Sequence, residues 1–134
     1  MNIKIKDYLL LMLTLSLAGC MNFSLDPTMI GTSKSSAINS GLQLAIFDRR
    51  HELCPDMNRT NTKAGVDVFR QQVETVYFHT HVYHTYYKDS YDKSMRLSTA
   101  DLWDVVAPDI RINRTKWCLN TEDILIKEGA YLYR

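Results

Sequence analysis

The sequence has few residues that interrupt regular structure and no concentration of one charge. Only 5 glycines and 3 prolines occur in 134 residues, and no unit of about 20 to 50 residues repeats, so collagen-like, low-complexity and solenoid folds are excluded. The formal net charge is +1 and no block of like charge is present, so we expect no nucleic-acid partner. The remaining composition, 46% apolar and 23% charged, is typical of one ordinary globular domain.

Enzyme motifs are also missing. The chain contains no G-x-S-x-G, H-E-x-x-H, G-x-G-x-x-G or G-x-x-x-x-G-K-S/T sequence. Two pairs of neighbouring acids, Asp101 with Asp104 and Glu122 with Asp123, are explained by the preference of carboxylates for helix starts. We therefore predict no catalytic residues, no cofactor and a protein that is not an enzyme.

The first 20 residues have the order of a bacterial export signal. Lys4 and Lys6 precede an apolar stretch over residues 8–17, which is well short of the ~20 residues that a membrane-spanning helix needs. The segment ends in Leu17-Ala18-Gly19-Cys20, which resembles the lipobox of bacterial lipoproteins. The resemblance implies that residues 1–19 are cleaved, that Cys20 carries diacylglycerol and a further acyl chain such as palmitate, and that these chains anchor the protein stably.

The residue after the lipobox bears on which membrane receives the protein. In enteric-type bacteria an aspartate after the lipidated cysteine resembles an inner-membrane retention signal, and this chain has Met21 there. We therefore expect an outer-membrane lipoprotein whose domain faces the periplasm. Residues 20–34 are predicted to be a lipidated, flexible tether, and residues 35–134 a single globular domain.

Two cysteines remain once the lipobox resemblance assigns Cys20 to the lipid. Cys54 and Cys118 are then the one pair left in a chain exported to an oxidising compartment, so we predict a disulfide between them.

Hydrophobic periodicity predicts a mainly α fold, a small disulfide-closed bundle of about four helices. Residues 35–54 form one predicted helix, with a short strand of Leu42, Leu44 and Ile46 as the alternative. Residues 66–87 carry the clearest seam, which predicts a helix of about six turns that is the spine of the domain. The β-branched and aromatic residues of its second half leave a strand over residues 76–87 open.

The rest of the chain contains weaker signals. Ser98 and Asp101 have the spacing of a capping box, which predicts a helix of about nine residues that stops before Pro108. Asn120 and Gly129 are placed to begin and end a helix over residues 122–128. Residues 56–65, 88–96 and 110–119 are predicted to be connections. A hairpin of residues 124–126 with 131–133 is the alternative, and it would make the fold α+β with a short sheet.

Four histidines are candidates for a metal site. His79, His81 and His84 fall within six residues, and His51 stands apart. Neither a helix nor a strand gathers the first three on one face, so zinc or copper would need His51 or a carboxylate as a further ligand. The alternative is that these histidines pair with the neighbouring tyrosines and that no metal is bound.

The aromatic residues of the predicted long helix are too many for one buried seam. Val73, Val76, Thr80 and Tyr83 lie on the inward seam of this prediction. A second stripe at spacings of four is predicted to bind a protein partner, and the alternative is that the short helices cover it. Its residues are Phe78, Val82 and Tyr86.

These observations favour a non-catalytic outer-membrane lipoprotein that binds another envelope protein. The pattern resembles the helical pilotins of secretion systems in its lipobox, its polar tether, its first helix that ends near Cys54-Pro55-Asp56, and a late Cys118. That resemblance implies a carrier of secretin subunits that receives an amphipathic helix of its partner in a groove. The alternatives are an immunity or exclusion lipoprotein, which occludes a toxin, phage receptor or conjugation apparatus, and a periplasmic metal-binding lipoprotein.

Overall fold

The computed structural model describes residues 30–31, 33–78, 81–107 and 110–130, and all regular structure in these ranges is helical. The mainly α prediction is therefore confirmed, and none of the alternative strands forms within them. The described residues form six helices, of which four are long and two are short. In chain order they are α1 (Lys34–Asp48), α2 (Arg50–Leu53), α3 (Arg59–Tyr77), α4 (His81–Met95), α5 (Thr99–Val106) and α6 (Ile110–Ala130).

Three helices begin at side-chain caps that satisfy otherwise unpaired backbone N–H groups. Ser33 accepts a hydrogen bond from the backbone N–H of Ser36, and Asn58 accepts one from Asn61. Ser98 accepts one from Asp101 over 3.1 Å, which confirms the predicted start of α5. Each cap stabilises its helix by about 1 kcal/mol.

Helix α1 is the most enclosed helix of the bundle. Five consecutive residues, 43–47, are buried, so side chains on every side of α1 are covered rather than those of one face. Residues 66–87 were predicted to be the spine of the domain, and this prediction is wrong, because α1 is the helix that the others surround. Gly41 lies inside α1, and so do Leu42, Leu44 and Ile46 of the alternative strand.

Two parallel helix pairs make up the bundle, and a glycine lies at the contact of each. Helices α1 and α4 run in the same direction. Ser90 of α4 donates to the carbonyl of Ile38 (2.6 Å), and further along both helices Arg49 donates to the carbonyl of Ser94 (3.1 Å). A Cβ at Gly41 would lie 2.8 Å from the backbone nitrogen of Tyr91. Only a glycine therefore lets these two helices approach so closely.

The second pair is α3 with α6. The backbone N–H of Asn58 donates to Glu122 (2.7 Å), and a Cβ at Gly65 would lie 2.7 Å from the Cα of Leu125. A Cβ at Gly129 would lie 2.8 Å from that of Ala64. Gly129 is thus a packing residue inside α6, and the prediction that it ends a helix at residue 128 is wrong.

The predicted single helix over residues 66–87 is also wrong, because α3 ends at Tyr77 and α4 begins at His81. The chain folds back, so that the rings of Tyr77 and Tyr87 stack with centroids 5.7 Å apart. In one continuous helix these two residues would be about 15 Å apart along the axis. The reversal buries both aromatic side chains, and this burial outweighs the local helical periodicity.

The three predicted connections are largely helical. Helix α3 begins at Arg59, within the predicted connection 56–65, and α4 continues to Met95, across most of residues 88–96. Residues 110–119 belong to α6, where the bond between Cys54 and Cys118 attaches that helix to the end of α2. Tertiary contacts supply the stability that these polar segments lack by themselves.

Two hydrophobic clusters fill the bundle. The first, the tyrosine core, lies between α1, α3, α4 and α6. Its buried residues are Ile30, Ala37, Leu44, Phe47, Val66, Phe69, Val73, Tyr77, Tyr87 and Leu125. The second, the disulfide core, is closed mainly by α2 and α5. Its buried residues are Ile46, Leu53, Cys54, Met57, Leu102, Trp103, Val106 and Ala107.

The predicted disulfide between Cys54 and Cys118 is confirmed. It joins residues 64 positions apart, with 5.8 Å between their Cα atoms. Trp117 and Cys118 pack against the disulfide core, and the rings of Trp103 and Trp117 meet edge to face at 5.7 Å. The bond thereby fixes the first half of α6 against the short helices.

Candidate functional site

The turn between α3 and α4 exposes two of the three residues predicted to bind a partner. Phe78, directly after α3, is 75% exposed, and Val82, near the start of α4, is 60% exposed. We call these two residues the α3–α4 corner. Neighbouring exposed apolar side chains are typical of contact surfaces.

Tyr86, the third predicted residue, lies in a different environment. It is half-buried and packs against the tyrosine core. The ammonium of Lys34 lies 5.0 Å from the centroid of its ring, a favourable cation–π geometry. The structure therefore divides the predicted stripe, because the break after α3 removes the register that placed all three residues in one row.

The inward seam of the same prediction is partly confirmed. Val73 is fully buried, and Val76 and Tyr83 are half-buried against the tyrosine core. Thr80 lies outside the described residues. Tyr87, which the periodicity also placed on the seam, is buried.

The chain enters the domain beside the α3–α4 corner. Ile30 is buried in the tyrosine core, and the carbonyl of Gly31 accepts a hydrogen bond from the hydroxyl of Tyr77 over 2.7 Å. Tyr77 is the residue before Phe78. Burial raises the pKa of the Tyr77 phenol because the phenolate would lose its hydration, so the hydroxyl remains protonated and able to donate.

Polar groups join α1, α3 and α4 along one seam. The carboxylate of Asp48 accepts hydrogen bonds from Arg70 and from the hydroxyl of Tyr91. The hydroxyl of Tyr87 donates to Glu74 over 2.7 Å. Burial, with the neighbouring Glu74 carboxylate, raises the pKa of Tyr87. These groups cross-link three helices, and that is a structural role.

The histidines are placed in two separate environments, as far as they are described. Nε2 of His51 lies 3.9 Å from Glu52, and Nε2 of His84 lies 3.7 Å from Glu74. The ring of His84 also meets that of Tyr87 edge to face. His79 and the side chain of His81 fall outside the described residues. Within the part of the chain that is described, no three His, Cys, Asp or Glu side chains are grouped as metal ligands.

A second exposed apolar surface, on α6, was missed from the sequence. Leu119 is 62% exposed and Ile126 is 39% exposed. Ile126 lies seven positions after Leu119, so the two residues lie on one face of the helix. An ion pair of Asp123 and Lys127 (3.0 Å) flanks Ile126. We call Leu119 and Ile126 the α6 face. Their spacing was visible in the sequence, but residues 110–119 had been interpreted as a connection.

The lipobox and Cys20 lie outside the described residues, so lipidation of Cys20 stays a prediction. None of the helices that the structure describes combines the length and the apolar character needed to cross a membrane. The sequence matches no protein-family model and no curated protein, and the fold matches no solved structure.

Proposed function

We propose that the chain is an outer-membrane lipoprotein, anchored through Cys20, whose non-catalytic domain faces the periplasm and binds another envelope protein. The lipobox supports the anchor. The Cys54–Cys118 bond supports export, because disulfides persist in oxidising compartments and are rare in the reducing cytosol.

The α6 face is the observation that carries protein binding. Leu119 and Ile126 present apolar area in one line on the longest helix, and charged residues border them. Protein interfaces have this composition, an apolar centre with a polar rim. The pilotin resemblance adds a specific candidate partner, a secretin or another secretion or pilus assembly component that offers an amphipathic helix.

Cys20→Ala tests the anchor. We expect the variant to remain unprocessed or to become soluble in the periplasm, because the thiol is the atom that receives the lipid. Cell fractionation with a radioactive fatty-acid label measures the change, and a thermal melt of the domain serves as the folding control. Unchanged labelling and membrane partition of the variant would refute the lipoprotein proposal.

Site-specific photo-crosslinking tests the protein partner. A photoreactive residue placed at Leu119 or Ile126 in cells should give the same crosslinked species from both positions. Lys63, an exposed residue of α3, is the matched control and should not give that species. Crosslinking of similar yield from all three positions, or from none of them, would remove the α6 face as the binding surface.

A further inference from the structure

We propose that the α3–α4 corner is a second membrane contact, in which Phe78 and Val82 enter the lipid–water interface of the bilayer that holds the Cys20 lipid. The inference rests on the proposed anchor and adds a surface, an orientation and an occupant to it. The occupant is the phospholipid headgroup region and the adjoining acyl chains.

The position of the chain entry is the first argument. Ile30 is fixed in the tyrosine core, and the Gly31 carbonyl is held by the hydroxyl of Tyr77, the residue that precedes Phe78. Lys34, at the start of α1, lies over the ring of Tyr86 on α4. The end of the domain that receives the tether is therefore the end that carries the exposed apolar pair.

The length of the tether is the second argument. Ile30 lies ten positions after Cys20 in the sequence, so the chain between them can span at most about 35 Å. A domain of this size has a radius of gyration of about 13 Å. The maximum reach of the tether is thus comparable to the diameter of the domain. The tether therefore keeps the end where the chain enters closer to the bilayer than the opposite end, where the disulfide core lies.

The chemistry of the surrounding side chains is the third argument. Tyr83 and Tyr86, next to Val82 on α4, are half-buried amphipathic rings. Such rings are enriched at the headgroup level of membranes. Lys34 can extend its ammonium toward lipid phosphates while its methylene groups stay on apolar surface. A weak apolar contact is sufficient, because the lipid anchor already holds the corner at high effective concentration near the bilayer.

Depth-dependent fluorescence quenching tests the inference with the lipidated mature protein. The protein is reconstituted in vesicles of phosphatidylethanolamine and phosphatidylglycerol that contain lipids brominated on their acyl chains. Phe78→Trp places the reporter at the corner. Leu119→Trp is the control, an exposed apolar residue beside Cys118 whose exposure, 62%, is close to the 60% of Val82. The native Trp103 and Trp117 belong to the disulfide end, and the wild-type protein corrects for them.

We expect brominated lipid to reduce the added emission of Phe78→Trp at least twofold and to leave that of Leu119→Trp unchanged. Val82→Trp is a second reporter, with circular dichroism melts to show that each variant folds. Equal quenching of the corner and control reporters, or none at the corner, overturns the inference. If an added envelope protein buries the corner reporters and lipid does not, the corner binds a protein, and the inference is overturned.

The mass of the N-terminal peptide separates the two proposals. A chain without lipid on Cys20 refutes the anchor, and the inference with it. A lipidated chain whose Phe78→Trp and Val82→Trp reporters are not quenched leaves the proposed function intact and refutes the corner contact alone.

Discussion

The tyrosine core lies between helices of 15 to 21 residues, whereas the disulfide core is closed by α2 and α5, of 4 and 8 residues. Long helices bury enough side chains to hold each other, and the glycines at their contacts bring their backbones close together. Short helices are marginal by themselves, and here a covalent bond attaches them to α6. One small domain thus combines two sources of stability, close helix packing at one end and a crosslink at the other.

The two cores are connected by a buried arginine. Arg49, between α1 and α2, donates from Nη1 to the carbonyl oxygens of Ser94 (3.1 Å) and Leu97 (2.5 Å) at the end of α4. Its guanidinium also pairs with Glu52 at 2.7 Å. These bonds join Arg49 to the turn after α4, where the Ser94 carbonyl also accepts from the backbone N–H of Leu97 over 3.3 Å.

The largest expected effect is in the helix packing around the tyrosine core. Gly65→Val would place side-chain atoms against the backbone of Leu125, which cannot move aside as a flexible side chain can. We expect the cost to exceed the roughly 3 kcal/mol of ordinary overpacking and to unfold the domain. A thermal melt followed by circular dichroism measures it.

The matched control for this substitution is Gly31→Ala. Its new Cβ would meet the hydroxyl of Ser36 at 2.7 Å, and a serine side chain can rotate away. We expect a change in melting temperature of only a few degrees. Similar melting of Gly65→Val and Gly31→Ala would show that close approach of α3 and α6 does not hold the tyrosine core together.

The next largest effect concerns the crosslink. Cys54→Ser should lower the free energy of unfolding by about 2 to 5 kcal/mol, because the closed loop of 64 positions no longer restricts the unfolded chain. Amide hydrogen exchange should increase most in α2 and α5, while α1 and α4 stay protected. Uniform loss of protection would mean that the two cores unfold as one unit. Two reactive thiols in the wild-type mature chain would refute the bond itself.

Local signals in the sequence were sufficient for some elements. The Ser98 cap of α5 and the disulfide were predicted, because each depends on neighbouring residues or on the cysteine count. The single helix predicted over residues 35–54 is only partly right, because Arg49 divides it into α1 and α2. Gly41 shows the limit of such signals. A glycine inside a helical pattern lowers local propensity, and only the position of α4 reveals that the missing side chain is what allows the contact.

The chain reversal within residues 66–87 could not be predicted from local sequence signals. Tyr77 stacks on Tyr87 only because the chain reverses between α3 and α4, and burial of both rings favours this reversal. The helical periodicity of the sequence continues through the reversal and gives no sign of it. The predicted binding stripe was divided for the same reason, since Tyr86 turned toward the core while Phe78 stayed exposed. The α6 face was not predicted because the helix that displays it has a polar first half, which the disulfide core stabilises.

Alkaline pH should also affect the two cores differently, because the tyrosines concerned belong to the tyrosine core or pack against it. The expected loss of stability is smaller than that of the substitutions above. Burial raises the pKa values of Tyr77, Tyr87 and Tyr91 in the folded state, so the folded protein retains protons that the unfolded chain loses above about pH 10. The contribution of these phenols to stability is therefore constant below about pH 10, and it falls as the pH rises further, by up to about 1.4 kcal/mol per pH unit for each phenol.

Tyr87→Phe tests this dependence at one residue. At pH 7 it should cost about 1 kcal/mol, because the hydrogen bond to Glu74 is lost. Above pH 10 its stability should fall less steeply than that of the wild type. Denaturant titrations at pH 7 to 11 measure both slopes. Parallel slopes would contradict the idea that the Tyr87 phenol titrates only on unfolding.

The smallest effect is expected at the start of α5. Ser98→Ala removes the oxygen that accepts from the backbone N–H of Asp101, and it should cost about 1 kcal/mol. Thr99→Ala is the neighbouring control, because Thr99 donates only a long, exposed hydrogen bond to Glu52 (3.2 Å). Hydrogen exchange should increase in α5 of the Ser98 variant and stay unchanged in α1, because the loss of stability is confined to the disulfide core. Equal exchange changes in both helices would show that a single cap influences the tyrosine core as strongly as its own end of the bundle.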